Sequence, residues 1–338
     1  MVLGFESRRN RDMQTRLSKL SPNRGIAAPN VAHNKPESST HAEASSHVET
    51  THAHPHRGPL IAIGGAEDKI GVRTVLRDVI KHAGGAKHAK IAVFPTASSI
   101  PLEMANTYEA IFREFGAEVH IVRIATRADG EDPEKLALIK DVTGIFFTGG
   151  DQGRIVTMLG GTELARTIRR AHRNGVVVAG TSAGASVLCD HMIAQGRKGY
   201  APRRELVMLA PGLGLTRKLV IDQHFGQRHR IGRLFSAVAM NPFLIGVGID
   251  EDTAIVLKAD RKLQVIGRGT VTVIDGSKIQ HTDIHEVRRE SPAALLGLSV
   301  HVLTQGCGFD IDHRTPSWPR TDTEGSPESA PISPRDTP

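Results

Sequence analysis

Ser182 stands in Gly180-Thr181-Ser182-Ala183-Gly184, which follows the β-branched run Val176-Val177-Val178 after Ala179. A buried strand that ends in a G-x-S-x-G turn and opens into a helix holds a serine hydroxyl proud of a sheet, the setting in which such a serine attacks acyl groups. Gly180 and Gly184 keep side chains away from the sharp turn. The Ala183 N–H, at the helix start, points to where an acyl oxyanion would form. A nucleophilic serine needs a general base, and the base needs an acid to fix its tautomer. His224 follows the apolar Leu219-Val220-Ile221 and is bracketed by Gln223 and Gln227, whereas most other histidines fall on helices or tails. Asp250, Glu251 and Asp252 close the apolar run 243–249, and any of the three would serve as the acid. The order serine, histidine, acid differs from the serine, acid, histidine order of α/β-hydrolases, so this elbow belongs to another fold. Arg228, Arg230 and Arg233 follow the histidine and would converge on an anionic group from a loop-to-helix entry.

The surrounding pattern says what positions these residues. Short apolar runs at 60–63, 91–95, 119–124, 144–147 and 176–179 read as strands. They alternate with helical stretches at 71–82, 102–115, 133–140 and 162–173, and Met104, Tyr108, Ile111 and Phe115 recur at helical spacing. Such alternation predicts an α/β fold with a doubly wound, mostly parallel sheet. Ligands of these sheets bind outside the carboxyl ends of the strands. Here those ends read Gly64-Gly65, Thr96-Ala97-Ser98, Thr148-Gly149-Gly150-Asp151 and Gly180-Thr181-Ser182, and they should line one cleft. After Ser182 the pattern changes. A strand at 219–221, a helix running to about Met240 and a strand at 244–249 precede three runs, 254–257, 263–266 and 270–274, that read as a C-terminal antiparallel extension of the same domain.

Composition sets the frame. The chain has 338 residues, enough for one large α/β domain, and its hydrophobic content of 39% suggests polar tails around a normal core. Residues 1–57 are polar and charged, and residues 315–338 are rich in Pro, Ser, Thr and Asp, so both read as disordered tails flanking a domain over 58–314. His33, His41, His47, His52, His54 and His56 crowd the first tail without cysteines or a helical ligand spacing, and no metal is inferred from them. The formal charge of +7 is spread along the chain and aromatics are only 4%, which excludes a nucleic-acid platform as the main reading. No run is long enough to span a bilayer and the N-terminus lacks a signal-like apolar core, so no membrane is expected and the location reads as cytoplasmic. Two cysteines, Cys189 and Cys307, make no disulfide framework.

Several motifs in order carry a family resemblance over roughly residues 59–312. These are Gly64-Gly65-Ala66-Glu67-Asp68-Lys69, Gly149-Gly150-Asp151-Gln152, the Ser182 elbow, Pro211-Gly212-Leu213-Gly214, Asp222-Gln223-His224-Phe225 with Gln227-Arg228 and the stretch 230–234, and 248–254. Together they resemble the cyanophycinases, serine-type exopeptidases related to aspartyl dipeptidases, with a flavodoxin-like sheet akin to class I glutamine amidotransferases. The resemblance implies hydrolysis of cyanophycin, a poly-aspartate with arginine on each β-carboxylate, to β-Asp-Arg dipeptides. It implies Ser182 as nucleophile, His224 as base and Glu251 as its acid. It also implies an oxyanion hole at Ala183 and Gly150, and substrate contacts from Gln152, Asp222, Gln223, Arg228, Arg230 and Arg233. In that reading the arginines clamp carboxylates, while Asp222 or the glutamine amides accept from a guanidinium. No metal or organic cofactor is implied, and a homodimer is. The basic stretch 195–204 falls where the family's loops vary. The alternatives are an aspartyl or isoaspartyl dipeptidase of the same superfamily, and a catalytically silent polyanion-binding protein.

Overall fold

The computed structural model describes residues 57–319. The expected tails therefore lie outside the described residues, apart from Arg57 and residues 315–319, and so does the histidine-rich tract. In the first half of the domain, strands and helices alternate: β1 (Leu60–Ile63), α1 (Thr74–His82), β2 (Lys90–Phe94), α2 (Pro101–Glu114), β3 (Glu118–Ile121), α3 (Pro133–Ala137), β4 (Gly144–Phe147), α4 (Gln152–Leu159), α5 (Glu163–Arg173), β5 (Val177–Thr181) and the one-turn α6 (Ala183–Ser186). The second half is mostly strand: β6 (His191–Gly196), β7 (Val207–Pro211), β8 (Leu219–Gln223), α7 (Ile231–Met240), β9 (Ile245–Ile249), β10 (Thr253–Leu257), β11 (Lys262–Gly267) and β12 (Val271–Asp275). Short pieces close it: β13 (His281–Thr282), β14 (Leu295–Leu296), β15 (Ser299–Leu303), β16 (Gly308–Asp310) and β17 (Thr315–Ser317).

Nine strands form the main sheet, in the order β17-β16-β11-β10-β1-β5-β4-β2-β3. From β1 to β3 every pairing is parallel, and from β10 to β17 every pairing is antiparallel. The expected fold class is thus the observed one. Strands β1, β4 and β5 are buried along their whole length because layers cover both faces. Side chains alternate between those layers. Ile61, Ile63, Val93, Phe146 and Ala179 pack with α1 and α2 on one face, while Ala62, Phe94, Phe147 and Val178 pack on the other. Phe146 sits against Tyr108 and Phe112 of α2, with ring centroids 4.7 and 5.1 Å away.

The antiparallel part departs from the expected single extension. β10 and β11 do extend the main sheet, but the strand expected at 270–274 is β12, and it lies in a second sheet of order β15-β12-β9-β8. The physical reason is that Ile249 and Val271 pair with each other, while the chain between them leaves β9 and returns through β10 and β11. The inner face of this second sheet, with Ile221, Val247, Ile249 and Val273, packs into the same core as Phe94 and Phe147. Its outer face, with Val220 and Ile274, packs against Leu234, Ala237 and Val238 of α7. Thr315–Ser317, assigned by composition to the C-terminal tail, pair with β16 at the sheet edge. Among the described residues no helix is long and apolar enough to cross a membrane.

Candidate active site

The two sheets meet where β1, β5 and β8 end. Ser182 follows β5 with φ 54° and ψ −114°, a backbone conformation that non-glycine residues rarely adopt. The neighbouring chain enforces it. The Ser182 N–H donates to Ile63 O at 2.9 Å, continuing the β1 ladder. At Gly180 a methyl would lie 2.2 Å from Gly184 O, so the turn closes only on glycine. The helix that follows is a single turn, and Cys189 lies beyond its end in a bridge to Thr216. Burial pushes the Cys189 thiol up to about 12, leaving it protonated and unreactive.

Ser182 Oγ is 3.0 Å from His224 Nε2, and His224 Nδ1 is 2.6 Å from Glu251 Oε1. The histidine is buried while the serine is partly open. Burial is the main cause that holds the His224 imidazole below its ordinary value. Arg228 and Arg230 add to that, and Glu251 opposes it. At neutral pH the ring is therefore the free base, and Glu251 fixes Nδ1–H so that Nε2 faces the serine. The three adjacent acids part company here. Asp250 accepts from the Gly226 N–H at 2.9 Å and from the Thr270 hydroxyl at 2.7 Å. Asp252 accepts from the Asp68 N–H at 2.8 Å and from Arg268 at 2.6 Å. Those two brace loops, and Glu251 alone faces the imidazole.

On the other side of the serine is the turn after β4. The Thr148 N–H donates to Phe94 O and the Asp151 N–H to Ala97 O. Among the described residues, the N–H groups of Gly149, Gly150 and Ala183 donate to no carbonyl or side chain. A methyl on Gly149 would lie 3.3 Å from Ser182 Cβ and 3.8 Å from its Oγ. A methyl on Gly150 would instead strike Ala97 O at 2.1 Å. Gly149 is thus the glycine beside the nucleophile, whereas the family resemblance pointed to Gly150, which has φ +141° and lies one residue further out.

The polar cluster beyond His224 is more tightly tied than its sequence suggests. Asp222 is 1% exposed, and both its oxygens are taken. Arg233 Nε donates to Oδ2 at 2.5 Å, the second Arg233 donor and Arg230 Nη1 reach Oδ1, and the Gln223 N–H joins them at 2.9 Å. Asp222 therefore holds Arg230 and Arg233 and is not open to a substrate guanidinium, contrary to the expectation for it. Arg230 also donates to the Gln223 side-chain oxygen at 2.8 Å. Burial and the neighbouring Arg233 and Arg228 push its guanidinium down to about 10 against the pull of Asp222. Arg228 is exposed and has no carboxylate partner among the described residues. Gln152 opens α4 and spends its amide on Ile193 O and Ala194 O, at 3.0 and 2.7 Å, leaving its side-chain carbonyl free among the described residues. A cleft of about 370 Å³ is lined by Lys198, Gln227, Arg228, His229, Arg230 and Arg233 with Gly196. Lys198 comes from the basic stretch between β6 and β7.

No role was read for the individual residues of the loop after β1, yet this loop touches the base, the acidic turn and the end of the strand that carries Ser182. Gly64 O accepts from the His224 N–H at 2.8 Å. Gly65, at φ +96°, lies flat against the imidazole, which a methyl there would meet at 2.4 Å. Gly65 O accepts from the Asp252 N–H at 3.0 Å. Glu67 is 3% exposed and accepts from the hydroxyls of Thr181, at 2.6 Å, and Tyr108. Lys69 pairs with it at 3.1 Å. Burial pushes the Glu67 carboxyl up, but Lys69 and the two hydroxyls outweigh burial and hold it below the usual carboxylate range. The available signal was the first of two acids, Glu67 and Asp68, between a strand-end Gly-Gly and a helix. Ala66, Ser182, His224 and Asp252 all have positive φ, so strain is concentrated where the loop, the elbow and the acidic turn meet.

A model described as peptidase family S51 matches residues 60–265. A cyanophycinase of Synechococcus elongatus is 44% identical over 265 residues, 78% of this chain and 82% of that protein. One from Trichormus variabilis is 43% identical over 258 residues, 76% of this chain and 86% of that protein. One from Geminocystis herdmanii is 41% identical over 252 residues, 74% of this chain and 92% of that protein. Among solved structures, a peptidase from an acI-B1 Actinobacterium shares the fold, with a TM-score of 0.56 at 24% identity, over 76% of this chain and 98% of that one.

Proposed function

The chain belongs to peptidase family S51, and from that premise we propose that it is a serine-type exopeptidase that hydrolyses cyanophycin to β-Asp-Arg dipeptides through an acyl-enzyme on Ser182. One observation carries the reading. The Ser182–His224–Glu251 chain stands beside a cleft rich in guanidinium groups, in a protein 44% identical to a cyanophycinase.

In this mechanism Ser182 Oγ attacks the carbonyl of a backbone aspartyl peptide bond as His224 Nε2 takes its proton. Glu251 stabilises the imidazolium that forms. The N–H groups of Ala183 and Gly149, with Gly150 behind, receive the oxyanion. His224 then passes its proton to the leaving amine, and a water repeats the sequence to free the enzyme. Each substrate unit carries an arginine α-carboxylate, and Arg228 is the guanidinium open to pair with it. Asp222 serves by fixing Arg230 and Arg233 along the same wall. The Gln152 side-chain carbonyl accepts from the substrate guanidinium, and Gln223 holds the Arg230 side chain. The proposal includes a homodimer, to be read from sedimentation, and a cytoplasmic location.

The test is substrate selectivity. The full chain is assayed on purified cyanophycin beside α-aspartyl and isoaspartyl dipeptides. The reading expects kcat/KM to favour the polymer by orders of magnitude. A preference for either dipeptide would instead assign the site to a simple dipeptidase.

A further inference from the structure

We propose that Glu67 is a positioning residue for the nucleophile, acting through Thr181. The inference rests on the serine-hydrolase reading of the site, and it does not depend on which polymer is cut. Thr181 is the last residue of β5 and the immediate neighbour of Ser182. Its side chain is buried and ends on Glu67 Oε2 at 2.6 Å. The strained Ser182 backbone persists only where its surroundings over-determine it. The β1 ladder fixes the elbow on the backbone side, through the Ser182 N–H and Ile63 O. The Thr181–Glu67 bond fixes it on the side-chain side.

The chemistry of the cluster requires a carboxylate. Two hydroxyls, from Thr181 and Tyr108, both donate inward, and Lys69 adds a third donor. Only an acceptor with two oxygens satisfies all of them. A glutamine offers one carbonyl oxygen and an NH₂, so one hydroxyl proton would be left without an acceptor in a buried site. The loop that carries Glu67 also meets the base at Gly64 and Gly65 and the acidic turn at Asp252. A shift of Glu67 is therefore transmitted to the nucleophile against a base held by the same segment.

The test uses the full chain and the rate at which a fluorophosphonate labels Ser182. In that reaction the Oγ–P bond forms, fluoride leaves, and the serine proton passes to His224. It needs the elbow and the base but no polymer, so a failed polymer assay would count against the proposed substrate and leave this result readable. Glu67→Gln and Thr181→Val are each expected to slow labelling by about tenfold to a hundredfold, the cost of a small misplacement of reacting atoms. The double variant should be no slower than the slower single variant. Thr181→Ser, which keeps the hydroxyl, should label near the wild-type rate. The midpoint of the rate-against-pH curve should stay in place, since neither substituted side chain contacts the His224 imidazole. Wild-type rates in Glu67→Gln, or a double variant slowed by the product of the two single effects, would overturn the proposal. If Glu67→Gln does not fold, Thr181→Val against Thr181→Ser still decides it, and equal rates for that pair would overturn it.

Discussion

At the scale of residues, we propose that Ser182, His224 and Glu251 act as one proton relay whose parts are set by environment. His224 is held below its ordinary pKa mainly by burial, with Arg228 and Arg230 assisting and Glu251 opposing. The free base is the active form, so activity is lost as pH falls through this pKa, and the acid limb of kcat/KM should lie below the ordinary histidine range. Replacing Arg228 by Gln removes a cation that disfavours the imidazolium, so the limb should move to higher pH. Replacing Glu251 by Gln removes the group that favours it. The limb should then move lower, and kcat should fall by roughly 10²- to 10⁴-fold as the tautomer is lost. Limbs that shift the other way in pH–rate profiles would contradict this assignment. Ser182 and His224 were candidates in the sequence, the one at an elbow and the other after an apolar run, and the structure places them within hydrogen-bond distance. The residues themselves left the choice among Asp250, Glu251 and Asp252 open, and only the family resemblance pointed to Glu251. Three neighbouring acids look alike until loop contacts show that the outer two are bound to Gly226, Thr270, Asp68 and Arg268.

At the scale of elements, the turns do the placing. Gly149→Ala would set a methyl 3.3 Å from Ser182 Cβ, in the space next to the attacking oxygen. We expect a large loss of kcat with a small change in Tm, to be read by steady-state kinetics beside thermal unfolding; an unchanged kcat would remove Gly149 from the oxyanion hole. Asp250→Ala should act oppositely. It breaks the staple that ties the turn between β9 and β10 to Gly226 and Thr270, leaving donors without partners at a cost of about 1–3 kcal/mol. Denaturant unfolding measures that cost, and a loss of activity without a loss of stability would mean that Asp250 works in the chemistry. The alternation of strand and helix through β5 was readable because both sheet faces are buried and the strands are short apolar runs. The partners of β12 were not, since an apolar run does not announce which sheet it joins, and only the crossing at 250–252 separates β9 from β10. Asp222 misled for a similar reason. An acid beside three arginines reads as a ligand for substrate until its burial shows that the arginines occupy it.

At the scale of the whole molecule, the proposed relay spans two sheets. Ser182 comes from the parallel part of the main sheet, while His224 and Glu251 come from strand ends of the second. Their separation is set by the shared core, where Ile221 of β8 is 2% exposed and packs toward the main sheet. Ile221→Ala should cost about 2–5 kcal/mol of stability, and the thermal midpoint of activity should fall together with that of unfolding. If activity outlived the folded signal, the two sheets would not be what holds the relay. We propose Ser182 as the nucleophile of a cyanophycin-hydrolysing enzyme. Mass spectrometry of the products released from purified cyanophycin by the wild type and by Ser182→Ala tests it most directly. β-Asp-Arg is expected from the wild type alone, and equal release by both proteins would mean that Ser182 is not the nucleophile.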